Sequence, residues 1–127
     1  MLHEQLAHYL NAIEQTILTY SDLYIDRYTE EILTRDRANL RIRIRIKQNN
    51  LLEINEAIVI IDNRLMTLDY RYHYQNNQNQ LIFRYDSTPH FPDLPTFPHH
   101  KHLPTTIIAC ENPEIQQVLQ EAVKNVK

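Results

Sequence analysis

From Leu40 to Lys47 apolar and charged residues alternate with a period of two: Leu40, Ile42, Ile44 and Ile46 against Arg41, Arg43, Arg45 and Lys47. That is the pattern of a half-buried strand. The runs 52–60, 66–74 and 81–85 continue it, so the spacing predicts four antiparallel strands joined through Gln48–Asn50, Asp62–Arg64 and Asn76–Asn79. A slip of one residue turns every side chain to the other face, so the apolar pattern selects the register. Three-residue loops pair Ile46 with Leu52, Ile44 with Ile54 and Leu40 with Ile58. The next turn pairs Ile60 with Met66, Ile58 with Leu68, Ile54 with Tyr72 and Leu52 with Tyr74. The last pairs Tyr74 with Leu81, Tyr72 with Phe83 and Tyr70 with Tyr85. Residues 24–33 alternate more loosely and read as a further, partly exposed strand; residues 105–110 read as a short edge strand.

Helical spacing brackets the sheet. Leu6, Tyr9, Leu10, Ile13 and Ile17 mark one face of a helix over residues 3–20. Asn112, Pro113 and Glu114 supply an N-cap, a proline at the first helical position and an acid in the first turn. Ile115, Val118, Leu119, Ala122, Val123 and Val126 then form a stripe, with Lys124 and Lys127 suiting the C-terminal end of the dipole. The expected fold is α+β: an antiparallel β-meander of four to six strands, with an N-terminal and a C-terminal helix packed on one face. Residues 1–127 read as a single domain.

Composition adjusts this picture in three places. The chain has no glycine, so positive φ falls to asparagine or aspartate, and Asn50 is expected to take the left-handed position of its loop. A glycine-built phosphate loop is excluded with it. The single cysteine, Cys110, excludes an internal disulfide and reads as a packed thiol. No apolar run approaches a membrane span and the first residues lack a signal-peptide layout, so a cytoplasmic protein with no membrane contact is expected. The net charge of −3 argues against non-specific coating of nucleic acid, yet leaves room for a local basic patch.

The registers divide the sheet into an apolar face and a polar one. Glu56 breaks the apolar face, between Ile42 and Tyr70; a carboxylate there needs donors or carries a raised pKa, as a bonded structural group or as a general acid or base. On the polar face Arg45, Glu53 and His73 fall in one row, and Arg43, Asn55, Arg71 and Arg84 in the next. The second row holds three arginines and no acid, a pattern that suits a bound phosphate. Arg41, Asp69 and Asp86 make a third row.

Chemistry-bearing residues are densest from Phe83 to His102, FRYDSTPHFPDLPTFPHHKH, which holds four of the seven histidines. Prolines 89, 92, 95 and 98 make this stretch read as an extended, stiff loop. One reading is a metal-independent ribonuclease without cofactor. His73, His90, His99, His100 and His102 are candidates for proton transfer, with Lys101, Arg84, Arg71 and Arg43 on the phosphate and Asp86 orienting them. A second is a metal site: His100 and His102, two apart in extended chain, point to one side, with His90 or Asp86 completing the set. A third is a non-catalytic protein-interaction module that binds a partner through the 87–104 loop.

RYHYQ at 71–75, FRYD at 83–86, Pro89-His90 and LPTFPHHKH at 94–102 together resemble the TumE family of bacterial toxin–antitoxin toxins. Asp86-Ser87 and Phe91 depart from its pattern. The resemblance implies a type II toxin, a cognate antitoxin of helix-turn-helix type as partner and, by analogy with other toxins, action on RNA. A homodimer is compatible with it.

Overall fold

The computed structural model describes residues 1–124; Val126 and Lys127, assigned above to the last helix, lie outside the described residues. Helix α1 spans Glu4–Leu18. Seven strands follow: β1 Tyr24–Thr34, β2 Arg37–Ile46, β3 Asn50–Ile61, β4 Arg64–Gln75, β5 Leu81–Asp86, β6 His100–Leu103 and β7 Thr106–Ala109. Helix α2, Ile115–Lys124, closes the described chain. Every strand pairs with its sequence neighbours, antiparallel, in the order β1 to β7. The α+β meander with a helix from each end on one face is therefore as expected, with more strands. The extra one, β6, lies inside the stretch read as loop.

The division into two faces holds, whereas the registers shift. In the first hairpin Ile44 faces Leu52, Ile42 faces Ile54 and Leu40 faces Glu56, two residues away from the expected pairing. The loop is Lys47–Asn49, and the left-handed residues are Gln48 and Asn49 rather than Asn50. Asn50 is extended and buried, where its amide donates to the Tyr74 hydroxyl at 3.0 Å. A buried amide gains more from that bond than from a turn position on the surface. The second turn has two residues, Asp62 and Asn63, both at positive φ, the requirement of a type I′ hairpin. A bulge between Ala57 and Ile58 then restores Ile54–Tyr72 and Leu52–Tyr74 as expected. Its cost falls on Met66 and Leu68, which leave the core and are exposed. In the last hairpin Tyr74 faces Phe83 and Tyr72 faces Tyr85, again a shift of two.

The core is the apolar face of β2–β5 closed by Leu6, Leu10, Ile13 and Ile17 of α1 and Ile115, Val118, Leu119 and Ala122 of α2. Each leucine, isoleucine or valine among them contributes about 1.5–3 kcal/mol on full burial. His3 starts α1 by accepting from the Gln5 amide at 3.1 Å. Helix α2 begins later than Asn112-Pro113 predicts. The Glu114 carbonyl takes its first helical bond, from Val118, and Gln117 reaches back to the Glu114 amide at 2.9 Å. That is half of a capping box, and it outcompetes the asparagine cap. Val123, expected on the buried stripe, is exposed.

Candidate functional site

The polar face carries two cross-strand rows that converge on β5 and β6. One runs Arg43, Glu53, His73, Arg84, His102; its neighbour runs Arg41, Asn55, Arg71, Asp86, His100. The expected row of three arginines without an acid is therefore corrected. Arg43 faces Glu53 and bonds it at 3.2 Å, Arg71 faces Asp86, and Arg84 stands between His73 and His102. The shift of two in the last hairpin separates Arg71 from Arg84.

Asp86, His100 and His102 meet where β5 pairs with β6. The His100 Nε2 lies 2.7 Å from Asp86 Oδ1 and 3.0 Å from His102 Nε2, and His102 Nε2 lies 3.6 Å from Asp86 Oδ2. Asp86 Oδ1 also accepts from the Thr88 amide at 3.1 Å. His100 is 1% exposed and Asp86 4%, while the His102 side chain is 17% exposed. The outward group is thus His102, and the other two hold it. Phe91 sets its ring against both imidazoles, at centroid distances of 5.0 and 6.0 Å. Arg84 Nε stands 3.3 Å from Asp86 Oδ2 but is not aligned for a hydrogen bond.

Protonation follows from what each nitrogen faces. The His100 Nδ1 is 2.9 Å from the Pro98 carbonyl, which only accepts. Its Nε2 faces the Asp86 carboxylate, which also accepts. Both nitrogens therefore have an acceptor oxygen as a neighbour. His102 is lowered from the ordinary histidine value, first by burial and then by the Arg84 charge, which favours the neutral ring at neutral pH. His73 is lowered by burial too; its Nε2 pairs with Gln75 Oε1 at 2.8 Å, and its buried Nδ1 has no partner among the described residues.

Three other expected site residues lie elsewhere. Lys101, between His100 and His102 in sequence, points to the helix side: it reaches Glu121 of α2 at 2.6 Å and lies 4.7 Å from the Tyr85 ring centroid. The alternation that unites the two histidines sends the residue between them through the sheet. Glu56 is also on the helix side, accepting from Tyr72 at 2.5 Å and from Tyr9. Its pKa is raised by burial, against the opposing pull of both tyrosines. It lines a cavity of about 400 Å3 with Tyr9, Ile13, Tyr72 and Glu114. His90 is exposed on the loop, its ring 6.3 Å from that of Phe91.

The loop is not extended. Leu94 bonds back to Phe91, Phe97 to Leu94 and His99 to Thr96, giving successive turns, with a cis peptide at Phe97–Pro98. Proline presets φ for the second position of such turns as readily as for extended chain. Thr96 locks the end, donating to the His99 carbonyl at 2.7 Å and accepting from the Cys110 amide at 3.0 Å. His99 is taken up by the Tyr70 hydroxyl at 2.9 Å.

An antiparallel meander with helices on one face, and an aspartate–histidine–histidine cluster beside arginine on the other, defines a small α+β protein whose open sheet face gathers side chains of the kinds that transfer protons or ligate metals. No curated protein and no solved structure shows significant similarity to the chain. The model of the family described as Toxin TumE matches residues 12–127, nearly the whole chain, and the chain belongs to that family. Membership makes it a toxin-family protein and implies a cognate antitoxin as partner. Among the described residues no helix is long and apolar enough to cross a membrane.

Proposed function

We propose that the chain is a toxin that cleaves RNA without a metal, using His102 as the general base. The observation that carries this is the outward, neutral imidazole of His102 held 3.0 Å from His100, which Asp86 fixes in turn. His102 takes the proton of a ribose 2′-hydroxyl. The 2′-oxygen then bonds to phosphorus, the bond to the 5′-oxygen breaks, and a 2′,3′-cyclic phosphate remains. Arg84 and Arg71 stabilise the charge that builds on the phosphate. His90, exposed on the loop, serves as the acid that protonates the departing 5′-oxygen. Asp86 and His100 are positioning residues. The toxin acts in the cytoplasm, and the antitoxin, a helix-turn-helix protein, opposes it.

Two assays test the reading. Induced expression of wild type arrests growth, whereas His102→Gln and Asp86→Asn at matched soluble levels do not. With purified protein and a short RNA, His102→Gln lowers cleavage by on the order of a hundredfold or more, and a 2′-deoxy substitution at the scissile nucleotide stops it. Arrest by every variant removes the catalytic assignment. It would favour a non-catalytic module docking a partner through the 87–104 loop, where Phe97 is 44% exposed.

A further inference from the structure

We propose that Asp86, His100 and His102 also bind one divalent transition-metal cation of the zinc class, and that the bound cation switches off the proton chemistry of the same residues. The silencing half rests on the acid–base reading above; the binding half does not.

The donor atoms are already gathered. The ligand atoms of the three residues, one from each, all lie within 4.8 Å of one another; His100 Nε2 is 2.7 Å from Asp86 Oδ1 and 3.0 Å from His102 Nε2, and the other carboxylate oxygen, Oδ2, is 3.6 Å from His102 Nε2. Ligands at about 2.0–2.1 Å from a tetrahedral zinc stand roughly 3.3–3.4 Å apart, a spacing that side-chain adjustments on the order of an ångström bring these atoms to. The rest of the setting is also that of a ligand set. A metal-bound histidine usually donates its other ring nitrogen to a carbonyl or carboxylate, which fixes the ring and the tautomer. His100 does so through Nδ1 to the Pro98 carbonyl, leaving Nε2 as the coordinating atom. Asp86 is steadied by the Thr88 amide. Asp86 faces His100 and Arg84 faces His102 across one strand pair, so backbone hydrogen bonds set the separation of the ligands. Three protein ligands leave a fourth position, which opens on the His102 side, the more exposed edge of the cluster.

Selection among the loop histidines follows from the same geometry. His99 is occupied by Tyr70, and His90 lies outside the gathered set. Arg84 works against the ion, since its guanidinium stands 3.3 Å from the ligating carboxylate. That repulsion lowers affinity and leaves an anion, such as phosphate or hydroxide, a cationic setting at the fourth position. Coordination consumes the His102 lone pair that would accept the 2′-hydroxyl proton. Metal and substrate chemistry are therefore alternatives at one atom.

The experiment uses the full chain made by cell-free synthesis, stripped with chelator and titrated with zinc chloride under calorimetry. One equivalent is expected to bind saturably. Asp86→Asn and His102→Gln each weaken binding at least tenfold, with circular dichroism confirming that both remain folded, while His99→Ala binds as wild type. No saturable binding, or binding that neither substitution changes, overturns the proposal. RNA cleavage is then read on stripped and loaded protein. Cleavage by the stripped form alone supports the silencing half. Cleavage by the loaded form alone leaves the binding half standing and overturns both the silencing half and the metal-free mechanism.

Discussion

Glu56 shows what a single polar residue needs in order to sit among isoleucines. It is 4% exposed, and Tyr9 from α1 and Tyr72 from β4 both donate to it. Glu56→Leu leaves two hydroxyls without an acceptor and is expected to cost about 1–3 kcal/mol in denaturant unfolding; Glu56→Gln, which keeps an acceptor, costs much less at neutral pH. Because its folded pKa is raised, the native state holds the proton more tightly than the unfolded one. Its contribution is full below the unfolded value and is lost as pH rises through the folded one. Glu56→Gln should remove that slope. His102 and His73 act in the opposite sense. Both are lowered, so the unfolded chain binds more protons, and stability falls as pH drops through the ordinary histidine range. His73→Gln, compared with wild type between pH 7.5 and 5.5, should flatten that fall. Lys101→Ala should cost about 1–3 kcal/mol of stability through the lost Glu121 bond and leave RNA cleavage unchanged. The two-residue spacing of His100 and His102 already told which side they share, and left His90 and Asp86 as alternatives for the third member; the structure gathers Asp86. The same parity excluded Lys101 from that side, a signal present in the sequence that grouping the basic residues together concealed.

Burial explains why the strands were readable while the registers of the first and last hairpins were not. Sliding a strand by two residues keeps every isoleucine on its face, so the apolar pattern fixes parity alone. Turn chemistry must choose among the registers that remain, and without glycine the cues are weak. Gln48, with φ 63°, occupies a position where a glycine would be expected. Gln48→Gly is therefore expected to stabilise the chain by roughly 0.5–1 kcal/mol, whereas Gln48→Val, β-branched in the left-handed region, destabilises it by more than that. Urea midpoints of the two variants, taken with an unchanged slope, check the pair. Strand β6 escaped notice for another reason. Its four residues carry no apolar alternation, because one side holds the histidine cluster and the other the lysine bound to α2. A strand whose two faces are both polar is recognised by its partners and not by its own composition.

With both helices on one side, the sheet works as a partition. Hydrophobic packing and the Glu56 cavity lie behind it, while the arginine rows and the histidine cluster lie in front. Arg27, Arg41 and Arg43 line a concave patch on the front of β1–β3, and among the described residues neither Arg27 nor Arg41 makes an ion pair. Arg41→Ala and Arg71→Ala are expected to weaken RNA binding together with its salt dependence, each reducing the slope of log K against log salt by about 0.7 for one lost single-strand phosphate contact. Equal slopes for wild type and both variants would place the RNA elsewhere.

The strictly sequential strand order also has a consequence in time. Folding begins at the N-terminal end while a chain is still being made. Strands β1 to β4 can pair as they emerge, because each needs only the strand before it. The cluster cannot form until His102 has been added, after strands β1 to β5 have been made. Until then the nascent protein is a growing sheet without its histidine cluster, and the scaffold precedes the chemistry it carries.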